Sequence, residues 1–185
     1  MRILMQSCLV FIFISITGCV TQFNEQNRVT LSQEASINLA DPPSGLVVEQ
    51  WQQIVDISYQ GEQQTLLSIV NIDAVNGISL TVMTAQGMPI FSLEKQVGRP
   101  LMSKKMLPIS SVDPRYILAD MMIVHWPEQA LIKQLNGASV QDSKNQRQIF
   151  QGDKLIIDVN YTEAETVLRH SQRDYTIKFQ RINPL

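Results

Sequence analysis

Thiols, imidazoles and paired carboxylates are the side chains from which a hydrolytic, redox or metal site would be built, and this chain uses the first two sparingly. Its two cysteines are Cys8 and Cys19, and its two histidines are His125 and His170. His125 stands beside Trp126 in a stretch of helical spacing, where an imidazole packs or caps. His170 alternates with Leu168 near Arg169 and Arg173, a strand pattern that leaves it exposed. Asp153 and Asp158 flank a strand and Glu163 and Glu165 sit in a turn, positions typical of solvated carboxylates. No HExxH, GxSxG or glycine-rich phosphate loop occurs. The residues therefore point away from an enzyme, a bound metal or any other cofactor. That leaves the thiol of Cys19, which follows Ser15-Ile16-Thr17-Gly18 and suits three roles: buried apolar filler, reactive nucleophile, or point of cleavage and lipid attachment.

The residues before Cys19 favour the third role. Met1-Arg2 carries one positive charge, and Ile3 to Ile16 is almost continuously apolar. That run is shorter than the roughly 20 residues of a bilayer-crossing helix and matches a signal-peptide hydrophobic region. The order Ile16, Thr17, Gly18, Cys19 resembles the lipobox of bacterial lipoproteins. The resemblance implies that residues 1–18 are a signal peptide and that Cys19 becomes the first mature residue, acylated on its sulfur and its amine. Two or three acyl chains anchor a protein stably where one does so marginally. Val20, rather than Asp, implies the outer membrane, with the domain facing the periplasm.

Residues 19–45 then read as a lipidated cysteine and flexible tether. The segment is rich in Gln, Asn, Ser and Glu and ends in Asp41-Pro42-Pro43-Ser44-Gly45, a composition that buries little apolar surface. As a coil it would span roughly 25–30 Å. Residues 46–185 are expected to form one domain, held together by its core, since no cysteine remains for a disulfide. The net charge of −2 gives no electrostatic reason to expect nucleic acid as a partner.

Period two dominates the domain. Trp51, Val55, Ile57 and Tyr59 alternate with polar residues, as in a strand with one buried face. Further strands are predicted over 65–72, 78–84, 90–97 and 101–107, with Asn76-Gly77 a strong hairpin signal. Asp113-Pro114 reads as an N-cap followed by proline at the first helical position, leading into an apolar helix over 116–126. A second short helix follows Pro127 and stops at Asn136-Gly137. Strands resume over 146–150, 155–161, 167–170 and 175–179. The fold class is α+β: a curved antiparallel sheet, a half-barrel, with two short helices inserted as a lid. Leu66 and Val70 stand beside Leu67 and Ile69, and Ile156 beside Leu155 and Ile157, so parts of the sheet would be buried on both faces or enclose a cavity.

Ile78-Ser79-Leu80-Thr81-Val82-Met83-Thr84-Ala85-Gln86-Gly87 with Phe91-Ser92-Leu93-Glu94, Tyr116-Ile117-Leu118-Ala119-Asp120 with His125-Trp126-Pro127, and Gly152-Asp153 leading into Leu155 to Tyr161 resemble a family of bacterial lipoproteins of unknown function. Its members are often encoded among genes for aryl polyene pigments. The resemblance covers residues 46–182. That family is in turn distantly similar to LolB, the outer-membrane receptor that takes lipoproteins from the periplasmic carrier LolA. The similarity implies a hydrophobic cavity for acyl chains, a periplasmic carrier protein as donor, and a lipid or other long apolar ligand. Where the receptor exposes a leucine in a strand turn, this chain has Gln86, with Met88 two residues on.

Cavity-lining candidates are Trp51, Val55, Ile57, Ile69, Val82, Phe91, Met121 and Trp126. Met83, Met121 and Met122 would adapt to varied apolar chains, or fill a core that needs no ligand. Lys95, Arg99, Lys104 and Lys105 are the densest basic group, either a charged sheet edge or a patch for anionic headgroups. The alternative to a ligand-binding module is an accessory lipoprotein of an envelope complex with a packed core.

Overall fold

A computed structural model describes residues 27–46, 49–107 and 113–182. The proposed signal peptide and Cys19 lie outside the described residues. The first strands are β1 (Arg28–Thr30) and β2 (Ser36–Asn38), followed by the meander β3 (Glu49–Tyr59), β4 (Glu62–Asp73), β5 (Gly77–Thr84), β6 (Pro89–Gln96) and β7 (Met102–Lys105). Then come α1 (Pro114–His125), α2 (Glu128–Ile132), β8 (Leu135–Asn136) and β9 (Ser139–Asp142). A second meander closes the chain: β10 (Gln146–Gln151), β11 (Lys154–Tyr161), β12 (Thr166–His170) and β13 (Tyr175–Ile182).

Ten strands form one antiparallel sheet in the order β7-β6-β5-β4-β3-β13-β12-β11-β10-β9. The sheet is open, with β7 and β9 as its edges. The two meanders join through β13 and β3, whose register runs from Tyr175↔Tyr59 to Ile182↔Gln52. The Asn76-Gly77 hairpin forms as expected, and Gly77 is required there: at φ +112 an added Cβ would stand 2.0 Å from the Lys95 carbonyl oxygen.

One face of the sheet carries the core. Val55, Leu66, Val70, Leu80, Leu93, Val159 and Leu168 alternate onto it and are buried. α1 crosses this face. Asp113 caps it by accepting from the Arg115 N–H at 2.9 Å, and Pro114 opens it, as the sequence predicts. Residues Leu118 to Val124 are all buried. A helix apolar on every side must be covered on every side, and here the cover opposite the sheet is the chain's own N-terminal segment, which contacts α1 through β1. A lid keeps one side in solvent, which α1 does not.

That cover corrects the expected tether. Residues 28–42 are part of the domain: β1 and β2 pair, β2 also pairs β8, and Val29, Leu31, Ala35, Ile37 and Leu39 are buried with the core. Each of the four larger side chains contributes roughly 1.5–3 kcal/mol when fully buried. Their spacing escapes a composition-based reading because the polar residues between them point outward or pair. Ser32 Oγ donates to Gln151 Oε1 at 2.5 Å, the Arg173 guanidinium donates to the Thr30 carbonyl, and Asp41 pairs with Lys95. Gly137 marks the contact: it sits at φ +67 with the Glu34 carbonyl oxygen 2.0 Å from where a Cβ would be.

Two further differences have local causes. The strand expected over 101–107 is only Met102–Lys105 and wholly exposed, an edge with a single neighbour. The double-faced apolar pattern at 155–157 is a bulge: the register slips between Ile149 and Phe150, so Ile156 and Ile157 are both buried.

Candidate functional site

Register places the cavity candidates unequally. Trp51, Val55 and Ile57 share the core face of β3; Val82 stands on the same face of β5, directly opposite Phe91 on β6. Met121 and Trp126 come from the helix and its C-cap, and both are buried. Ile69 is not among them. It pairs with Gln52 and Thr81, residues of the outer face, where Ile54, Leu67 and Met83 surround it half-buried. One-residue alternation settles this: Val70, opposite Trp51, and its neighbour Ile69, opposite Gln52, cannot share a face.

The space beneath α1 is filled. Leu118, Met122, Ile123, Ile149, Ile157, Val159 and Leu168 are each 0% exposed, so no ligand volume remains at that depth. Trp51 is itself occupied by two groups. The His125 ring lies 5.0 Å away and the Arg181 guanidinium 4.4 Å from its centroid, while its indole N–H donates to Gln53 Oε1 at 2.8 Å. Cover thins toward the 60–61 turn. There Ile57, opposite Ile177, is only half-buried, as is Phe179; Phe91, three strands from β3, is half-buried at a separate place. Ile57, Ile177 and Phe179 thus form a half-buried apolar strip at this end of the core face, the candidate groove for a ligand.

Charged groups enter the interior at four points. Arg147 donates to the Ile123 and Trp126 carbonyls at 2.6 and 2.8 Å and to Asp142 at 2.5 Å, capping the C-terminus of α1 with a cation. Lys95 is buried against Asp41. Burial raises the Asp41 carboxyl, but the Lys95 ammonium and the Gly98 N–H outweigh that and hold it below its ordinary value. Lys95 therefore leaves the basic group expected at the sheet edge, and Arg99, Lys104 and Lys105 remain exposed.

Asp120 is buried in α1, and the Tyr175 hydroxyl lies 2.8 Å from both carboxyl oxygens. Burial raises its pKa to about 7, against the lowering effect of Tyr175 and Arg173. The Tyr175 phenol is itself pushed up by burial and by the Asp120 charge. His125 is lowered to about 4 by burial and by Arg181 and Arg147. His170, expected at the surface, is 1% exposed; burial and Arg173 lower it to about 4, and neither ring nitrogen has a protein partner. Three more polar groups in the interior lack partners, the Ser68 hydroxyl, the Trp126 indole N–H and the Arg147 Nε–H. The signals for these groups were parity signals: Gln53 and Lys95 occupy core-face positions of their strands, and Asp120 sits in a helix otherwise apolar all round.

Among the described residues no cluster of three or more histidine, cysteine or carboxylate side chains could hold a metal ion. Among them, too, no helix is long and apolar enough to cross a membrane. Gln86 and Met88 are exposed in the β5–β6 turn.

Residues 50–183 match the family described as protein of unknown function (DUF3261), and the chain belongs to that family. The match begins just after the packed N-terminal segment, so residues 27–46 are a part of the core that the family match does not cover. No curated protein matches the chain.

Proposed function

We propose that this protein is a lipid-anchored binding module of the bacterial outer membrane, tethered through Cys19, whose sheet holds a lipid or other long apolar molecule for transport or envelope assembly. In this reading it is a LolB-like half-barrel rather than an enzyme, and an aryl polyene lipid is one ligand of the right chemistry, delivered by a periplasmic carrier. One observation carries the proposal: Trp51, Val55, Ile57, Val82 and Phe91 stand on a single face of the sheet, and that face is only half covered at Ile57, Ile177 and Phe179. An apolar chain laid there would bury surface worth roughly 25 cal/mol per Å². The absence of space beneath α1 limits the ligand to the groove. Gln86 in place of an exposed leucine favours holding a ligand over inserting one into a bilayer.

Lipid extraction and mass spectrometry of the full chain tests it. An apolar molecule should copurify, and Ile57→Asp should deplete it while leaving the fold intact. A well-folded protein with no copurifying apolar molecule, and no uptake of a fluorescent fatty acid, would sink the proposal.

A second reading has its own support. Seven consecutive buried residues in α1 describe a packed core, the arrangement of an accessory lipoprotein that works through a partner. Crosslinking in the envelope, with recovery of a defined partner, would favour that reading.

A further inference from the structure

The two edges of the ten-stranded sheet are unlike. β9 has α2 packed beside it, and its Asp142 is held by Arg147. β7 has a single neighbour, β6, and all four of its residues are exposed. Which of its backbone groups are engaged follows from the bond that the Met106 N–H donates to the Ile90 carbonyl at 2.8 Å. Hydrogen-bonded and non-bonded pairs alternate along an antiparallel ladder. Met102 and Lys104 therefore bond to β6, while the N–H and C=O groups of Ser103 and Lys105 point away from it. Among the described residues no strand pairs with them.

We infer that this edge takes up an extended, acidic segment of a protein partner as a further strand of the sheet. The outward groups of Ser103 and Lys105 supply the main-chain bonds, which carry affinity in strand addition. An added strand lies in the plane of the sheet, and its side chains alternate onto both faces. It thus meets both lysines: Lys104 stands with Met102 on the outer face, and Lys105 stands with Ser103 on the core face, opposite Phe91.

Charge decides which kind of strand fits. Arg99, Lys104 and Lys105 are exposed, and among the described residues none of them forms an ion pair. The carboxylates near them are committed. Glu94, opposite Met102, accepts from the Gln96 amide at 2.7 Å. Asp113, which Arg115 and more weakly Lys105 hold below its ordinary pKa, caps α1 and accepts from the Arg115 guanidinium at 2.6 Å. Like charges directly opposite each other destabilise a strand pair, and opposite charges stabilise it. A second copy of β7 would set lysines against lysines, whereas a strand bearing carboxylates would neutralise them.

Lysines alone would only protect an edge from unwanted pairing. The apolar side chains around them are the second line of support. Of the eight large apolar side chains exposed among the described residues, four adjoin this strand. Val97 lies in the turn before it, Met102 starts it, Met106 follows it, and Met88 stands two residues from Ile90, the partner of Met106. Methionine adapts to varied apolar contacts. The partner segment is therefore one that places apolar residues among its acidic ones.

The inference adds a protein partner to the proposed function and does not depend on a ligand in the groove. The test uses the full ¹⁵N-labelled chain in a zwitterionic detergent with two blocked nonapeptides, valine alternating with glutamate and valine alternating with lysine. At about ten times its Kd, the glutamate peptide should slow amide exchange at Ser103 and Lys105 about tenfold. Met102 and Lys104, already bonded to β6, should not change. Ser103→Pro removes one outward N–H and leaves the bonds to β6 in place, so it should abolish the slowing with the rest of the spectrum intact. Lys104→Glu combined with Lys105→Glu should transfer the preference to the lysine peptide. No slowing by the glutamate peptide overturns the inference, as does equal slowing by both peptides or slowing that survives Ser103→Pro. Slowing that grows with protein concentration in the absence of peptide would assign the edge to a second copy instead. In nanodiscs without peptide, slowing on phosphatidylglycerol but not on phosphatidylcholine would assign it to a membrane surface, and either result overturns the inference.

Discussion

The two halves of the core face give different kinds of ground. On β10, β11 and β12 the residues Ile149, Ile157, Val159 and Leu168 are fully buried, with Arg147 of β10 donating to the Ile123 and Trp126 carbonyls at the C-terminal end of α1. On β13 and β3, Ile177 and Ile57, in the same cross-strand row as Val159 and Leu168, are only half-buried, as is Phe179. Packing that is complete in one region leaves no room for a ligand there, and packing that is incomplete in the other leaves apolar surface that contributes little to stability. The part of the sheet that holds the fold together is thus distinct from the part to which the proposed function assigns a ligand.

The comparison breaks most severely if the N-terminal cover is taken away. Removing residues 1–45 strips five buried apolar side chains from above α1, and the remaining chain should unfold or become molten by near-ultraviolet circular dichroism. A cooperative, native-like fold for residues 46–185 would restore the reading of the segment as a tether. Next in size, Leu168→Ala beneath α1 should cost about 2–5 kcal/mol in urea unfolding, the range for a cavity in a closed core.

Acidification probes the buried titratable groups and sets two effects against each other. His125 and His170 have folded pKa values near 4, below the unfolded 6.5, so the stability they confer is present above pH 6.5 and is lost as pH falls toward 4. Asp120, near 7 when folded, acts in the opposite sense: its contribution is complete below pH 3.8 and is lost as pH rises through 7. Two protons against one leave a net loss of about 1.4 kcal/mol per pH unit between pH 6.5 and 4.5. Asp120→Asn should steepen that loss, and urea midpoints that rise on acidification would refute the assignment.

The smallest effect sharpens the contrast. Ile57→Ala removes a half-buried side chain at the groove and should cost about 1 kcal/mol or less in urea unfolding. A loss as large as that of Leu168→Ala would place Ile57 in the structural core and remove the groove.

Much of the architecture was legible in the letters. Alternation located both meanders, Asn76-Gly77 marked a hairpin, and Asp113-Pro114 marked the start of α1. Short strands were not legible: β1, β2, β8 and β9 span two to four residues each, too few for a period to register. The candidate site was half legible. Parity within β3 correctly grouped Trp51, Val55 and Ile57, and the same parity applied to β4 would have excluded Ile69. The polar row on the outer face was out of reach, because Asp158, Arg169, Thr176 and Ser58 come from four strands and align only when their registers are known.

The sequence by itself determined which residues form strands and helices, because those follow from local period and capping chemistry. It also determined that α1 must be covered nearly all round, since six of the seven residues from Leu118 to Val124 are apolar. What would cover it was decided only in three dimensions. A segment as polar as residues 27–46 buries Val29, Leu31, Ile37 and Leu39 because their separate contacts converge on one helix and one strand partner, and convergence is a property of the assembled chain.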